Sequence, residues 1–129
     1  MIWTIPADQY AEHRDSIRPL LERFEERDLD GTTADDLERE ILAREAQLWV
    51  VGQFAGICLT RVTRESVRLD RYAGDNGHWR DVHDHIAKWA MEMGKARLVC
   101  TARYGLDRIA RGIGYREVHR EYTMELKHG

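Results

Sequence analysis

Ser66-Val-Arg-Leu-Asp-Arg-Tyr72, Gly74-Asp-Asn-Gly77, the stretch Trp79 to Gly94, and Arg97-Leu-Val-Cys-Thr-Ala102 together decide the fold. Val67, Leu69 and Arg71 alternate with Arg68, Asp70 and Tyr72, the period of a strand, so the spacing predicts one set on each face. Gly74 to Gly77 breaks that period. Trp79, Val82, Ile86, Trp89, Ala90 and Met93 then recur at three and four, which predicts a helix with one apolar stripe, closed by Gly94 as its C′ glycine. Arg97–Ala102 reads as a short buried strand. A strand, a long helix and a second strand form a crossover, so the two strands run parallel and the connection is right-handed. A Gly-rich turn leading from a strand into a helix can also receive a phosphate, because the helix start offers free N–H donors and the positive end of its dipole.

Upstream of this unit, Met1–Ile5 alternates and stops at Pro6, as a short first strand does. From about Asp8 to Arg27, His13, Ile17, Leu20, Leu21 and Phe24 mark one helical stripe. Pro19 lies inside it and is expected to break or kink the helix, with Arg18 pushed towards extended geometry. Thr33-Ala-Asp-Asp36 opens a second helix as a capping box, with Thr33 as N-cap and Leu37, Ile41 and Leu42 on its apolar side. Ala46–Val51 and Phe54–Thr63, joined at Gly52-Gln53, read as an antiparallel hairpin. Downstream, Gly105–Arg111 is a short helix with Leu106, Ile109 and Ala110 inward, and Tyr115–Leu126 is a closing strand or strand pair. The expected architecture over residues 1–129 is a single α/β (α+β) domain. It is a three-layer sandwich with a mixed sheet of six to seven strands and helices on both faces.

At 129 residues and 43% hydrophobic, the chain has enough apolar material for a real core. No run reaches the roughly 20 apolar residues of a membrane span, and the start shows no basic or signal-like segment, so the expected location is the cytoplasm. Cys58 and Cys100 match no metal or redox spacing and read as reduced core thiols. The net charge of −3 is unevenly spread, with six arginines between Arg97 and Arg120 against Asp107 and Glu117. Such a local excess suits a phosphorylated ligand or an acidic partner, and equally a solvated helix face. The acidic whole and the lack of any nucleic-acid motif exclude DNA or RNA as the expected partner. Within His78, Asp81, His83, Asp84 and His85 only Asp81 and His85 stand i, i+4 on one helix face. No distant cysteine or HExxH pattern joins them, so no metal is expected. The four tryptophans read as core or rim packing.

The order of elements, with Gln47-Leu-Trp-Val-Val51, Trp89-Ala-Met-Glu-Met-Gly94 and Arg103-Tyr-Gly-Leu-Asp-Arg-Ile-Ala-Arg-Gly-Ile-Gly-Tyr-Arg-Glu117, resembles the GCN5-related N-acetyltransferase (GNAT) superfamily over the whole chain. Within it the chain is most similar to small phage- and prophage-encoded acetyltransferase-like proteins. The resemblance implies acetyl-CoA as cofactor, with its pyrophosphate on the backbone N–H groups of an Arg/Gln-x-x-Gly-x-Gly/Ala loop. The matching run is Arg71-Tyr-Ala-Gly74-Asp75-Asn76, followed by Gly77. Arg71 and Gly74 match; Asn76 stands where the family has a small residue, and Asp75 sets an anion beside the anion site. Arg103 is added to this cofactor set because it follows the fifth strand, where the strands splay.

The resemblance also implies a tyrosine four residues before the Gly-aromatic pair, to protonate the departing thiolate. Counting back from Gly114 gives Ala110, so that donor is missing, and Tyr104 is the substitute to consider. Asp70 or Asp75 is the candidate base for the amine. Two functions follow from the same resemblance. One is acetyl transfer from acetyl-CoA to an amine with a degenerate catalytic motif. The other is a catalytically inactive virion-assembly, structural or host-interaction protein, placed in the host cytoplasm or the virion.

Overall fold

Successive side chains of a strand face opposite ways, and Leu48, Trp49, Val50 and Val51 divide between two separate cores accordingly. The computed structural model describes residues 1–28, 30–101, 107–118, 122 and 124–126. Its strands are β1 (Ile2–Ile5), β2 (Gln47–Val51), β3 (Gly56–Val62), β4 (Ser66–Ala73) and β5 (Arg97–Cys100). Its helices are α1 (Tyr10–Arg27), led in by a 3-10 turn at Ala7–Gln9, α2 (Ala34–Leu42), α3 (Asn76–Glu92) and α4 (Asp107–Gly112). The sheet runs β1-β2-β3-β4-β5, antiparallel through β4 and parallel between β4 and β5. This is the expected mixed α+β sheet with five strands among the described residues rather than six or seven. In the span expected to close it, residues 115–118, 122 and 124–126 are outside any strand and the rest lie outside the described residues.

One core lies under α1 and α2, where Ile17, Leu21, Phe24, Leu37 and Ile41 pack on Leu48, Val50, Ile57 and Leu59. The other lies under α3, where Val82, Ile86 and Ala90 pack on Trp49, Val51, Cys58, Val67 and Leu69. Both cysteines are free thiols. The capping box forms as expected: Thr33 Oγ1 accepts from the Asp36 N–H (3.1 Å), and the Asp36 carboxylate accepts from the Thr33 N–H (3.0 Å).

Three expectations are corrected. α1 runs unbroken through Pro19, and Arg18 stays helical. Ile17, Leu20, Leu21 and Phe24 are buried on both sides of the proline, and that shared burial outweighs the one lost backbone bond. The apolar stripe of α3 is narrower than its sequence suggests, since Trp89 is half-buried and Met93 is exposed. Leu42 likewise turns outward at the end of α2. Among the described residues no helix is long and apolar enough to cross a membrane.

Candidate functional site: the splay of the fourth and fifth strands

Pairing between β4 and β5 covers Ser66↔Arg97 to Leu69↔Cys100 and then stops, although β4 continues to Ala73. On its other side β4 stays paired with β3 as far as Ala73↔Ile57. The last four residues of β4, Asp70 to Ala73, therefore have no β5 partner, and among the described residues the edge of β4 is open there. A bulge accompanies the opening. Leu59 pairs with Arg71 and Thr60 with Leu69, which leaves Asp70 as the extra residue.

The bulge reverses the faces expected from simple alternation. Val67 and Leu69 point to α3, but beyond the bulge Tyr72 takes that side, while Ala73 joins the α1/α2 core. Arg71 leaves its expected face with it, and its Nη2 is paired with Asp28 Oδ2 at 2.7 Å beside the end of α1. Burial would raise the Asp28 carboxyl, but the Asp30 N–H, the Arg71 guanidinium and the Thr32 N–H together hold it below the ordinary carboxylate range. Arg71 is thus already engaged. Asp70 is engaged as well, accepting from Arg61 Nε (3.2 Å), whose guanidinium also binds Glu40.

Gly74 to Gly77 come together as the loop and first turn of α3. The Tyr72 hydroxyl donates to the Asp75 carbonyl and closes the loop; burial raises that phenol to about 12, with the Asp75 charge adding to the effect. Gly74 has φ +155°, and a Cβ there would stand 2.6 Å from Tyr72 Oη and 3.3 Å from the Gly56 Cα. The glycine is thus required by its own chain, whatever binds outside. Asp75 is the N-cap of α3: its Oδ1 accepts from the His78 N–H (2.9 Å) and lies 2.8 Å from His78 Nδ1. That carboxylate occupies one donor of the helix start. The N–H groups of Asn76 and Gly77 remain without an intrahelical acceptor, and a Cβ at Gly77 would meet nothing nearer than Asp75 Oδ1 at 3.3 Å.

Ala110, at the place of the expected tyrosine, is buried in α4. Arg103 and Tyr104 lie outside the described residues. Of the other arginines in that half, Arg97 pairs with Glu65 (2.7 Å) and Arg111 with Glu117 (3.1 Å), both as surface ion pairs. The polar cluster on α3 does not converge. His83 is buried, stacks on Trp79 (5.2 Å between rings) and shares hydrogen bonds with Tyr115 Oη and Asp84 Oδ1, each 2.9 Å. His85 instead stands edge-on to Trp49. The His83–Tyr115 link ties the segment after α4 to α3. Its partners are 32 residues apart, a separation that periodicity does not register, and the Gly-aromatic pair is its visible trace in the sequence.

No family model and no curated protein sequence matches the chain. Solved structures do. A probable acetyltransferase superposes with TM-score 0.69 at 16% identity, covering 100% of this chain and 99% of its own. A ribosomal-protein-alanine N-acetyltransferase from Brucella melitensis biovar Abortus 2308 gives 0.70 at 17%, covering 98% and 99%. An aminoglycoside N-acetyltransferase solved in complex with CoA gives 0.68 at 12%, covering 98% and 94%. The chain has the GCN5-related N-acetyltransferase fold.

Proposed function

We propose that this GNAT-fold chain binds an acyl-CoA thioester, acetyl-CoA in the first place, between β4 and β5 and transfers the acetyl group to an amine. The observation that carries this reading is the early end of β4–β5 pairing at Leu69↔Cys100, beside a bulge and ahead of a Gly loop that opens a helix. The fold-mate solved with CoA supports it. In this reading the unpaired edge of β4 offers strand N–H and C=O groups to the cofactor's amide-bearing arm. The free N–H groups of Asn76 and Gly77, at the positive end of the α3 dipole, receive the pyrophosphate.

Transfer needs no covalent enzyme intermediate. The amine nitrogen attacks the thioester carbonyl carbon, the C–S bond breaks, and CoA leaves as thiolate. The amine gives up one proton and the thiolate takes one. With Ala110 in place of a proton donor, the leaving sulfur draws its proton from water or from the ammonium formed in the attack, so the chain contributes mainly by positioning. In this reading Arg71, tied to Asp28 through Nη2, and Gly74, packed on Tyr72 and Gly56, shape the loop from within, and Asp75 acts as a resident anion at the helix start. Free Cys58 and Cys100 suit a reducing compartment such as the cytoplasm.

The test is a CoA and acetyl-CoA titration read by melting temperature and by calorimetry. Gly74→Val is the wrong variant, because the clash with Tyr72 and Gly56 would damage the fold itself. Asp75→Asn keeps an N-cap acceptor while removing its charge, and should tighten CoA binding by roughly three- to tenfold. Gly77→Asp adds an anion at the helix start, where its Cβ would stand 3.3 Å from Asp75 Oδ1, and should abolish binding at a small cost in the free protein's melting. No stabilisation at millimolar CoA in wild type or Asp75→Asn would overturn the reading and favour the non-catalytic one.

A further inference from the structure

The outer edge of β1 has no strand beside it among the described residues. Antiparallel partners alternate between pairs that exchange backbone bonds and pairs that do not. The Met1 carbonyl accepts from the Gly52 N–H (2.7 Å), so in this register Met1, Trp3 and Ile5 bond inward to β2. The N–H and C=O groups of Ile2 and Thr4 therefore point away from the sheet. The strand, Ile-Trp-Thr-Ile, carries no charge, proline or bulge, the usual devices that blunt an exposed edge.

Beside this edge, on the α3 side, runs a groove of about 570 Å³ lined by Thr4, Trp49, His85, Lys88, Trp89 and Glu92. It lies at the opposite end of α3 from the Gly74–Gly77 loop. Trp49 and Trp89 meet edge to face, with ring centroids 5.0 Å apart. Lys88 and Glu92 are exposed, and among the described residues they make no ion pair, although they stand i, i+4 on one helix. Lysine ahead of glutamate is the weaker order for such a pair.

We infer that this edge and groove are the interface for a second copy of the chain, joined β1 to β1 in antiparallel fashion about a two-fold axis through Trp3. Under that symmetry Ile2 of each copy lies opposite Thr4 of the other, and their outward N–H and C=O groups complete the ladder. The sheet becomes continuous across both copies. A two-fold contact requires a self-complementary surface. The unpaired Lys88 and Glu92 supply one, since Lys88 of each copy faces Glu92 of the other across the antiparallel ends of the two α3 helices. A foreign peptide would satisfy the strand edge but would leave Lys88 and Glu92 without partners of opposite charge, which a second copy supplies by symmetry. The inference is independent of the cofactor reading.

Light scattering on the eluting protein and sedimentation across the micromolar range test it. Wild type should run as a dimer. Lys88→Glu alone and Glu92→Lys alone should each weaken association by about tenfold or more, because each sets like charges across the axis. An equimolar mixture of the two variants should recover the dimer, and so should the double exchange. Thr4→Pro removes an outward N–H that the monomer does not use, and should give a monomer of unchanged helix and strand content. If that variant fails to fold, the charge variants on the exposed helix face still decide. A monomeric wild type, or a dimer indifferent to both charge reversals, would overturn the proposal.

Discussion

The two halves of the sheet differ in what happens after their strands pair. From β1 to the start of β4, every strand finds its antiparallel neighbour along its length, and the α1/α2 core beneath is closed. Charges on that side are also committed: Tyr10 and Arg14 to Glu38, Arg18 to Asp35, Arg61 to Glu40, Arg71 to Asp28. At the far end of β4 the sheet parts from β5, and the helix that follows starts with unspent donors. Among the described residues the first half keeps an open outer edge at β1 and leaves Arg18 Nη1 and Arg71 Nε buried without a hydrogen-bond partner, but between its strands the bonds are taken, and a ligand would have to replace them. The splay of β4 from β5 has strand bonds and helix-start donors to offer together, and so the candidate site lies there.

The largest effect should come from opening the closed half. Leu21→Ala or Ile57→Ala, each fully buried against α1, α2 and the sheet, should cost on the order of 3–4 kcal/mol in urea unfolding. Trp89→Ala, at the half-buried rim of the α3 core, should cost markedly less, about 1–2 kcal/mol. Equal losses at the two positions would erase the distinction between a closed side and an open rim.

Gly74→Ala comes next. It puts a methyl group 2.6 Å from Tyr72 Oη at φ +155°, so it should destabilise by roughly 2–3 kcal/mol. Adding Tyr72→Phe should return part of that loss, since the hydroxyl is the nearest obstacle. A purely additive double mutant would show that loop strain, rather than the contact, makes glycine necessary.

Asp28→Asn should cost about 1–2 kcal/mol at neutral pH by weakening the tie to Arg71. Its pH dependence sharpens the test. The native carboxyl lies below its unfolded value, near ~3.9, so its stabilisation is complete above that pH and is lost as pH falls through the lower native value. Wild type should therefore lose more stability than Asp28→Asn on acidification from pH 5 towards 2. Parallel curves for the two proteins would mean that the pair contributes nothing.

The smallest effect on stability should be that of Asp75→Asn, which keeps its cap bond to the His78 N–H and should move the melting temperature by about a degree or less. Its consequence belongs to the open half, as tighter CoA binding. A large loss of stability without any gain in CoA affinity would recast Asp75 as a purely structural cap.

The sequence by itself determined what local chemistry and short-range pairing decide. Thr33 with Asp36 specifies a helix start from N-cap to N3, and the spacing of Ile17, Leu20, Leu21 and Phe24 specifies one buried face. The Gly52 turn and the β4–α3–β5 crossover specify the order and direction of strands. Only the tertiary structure decided the rest. A bulge at Asp70 is invisible to a period of two, because it is set by how β3 and β4 share their register. That one residue sends Arg71 to Asp28 and Tyr72 to the Gly74 loop. Pro19 stays helical because packing on both sides exceeds the cost of one missing bond. His83 meets Tyr115 because folding closes a separation of 32 residues. Periodicity reports what a segment prefers; which groups are left unpaired is known only once every neighbour has taken its partner.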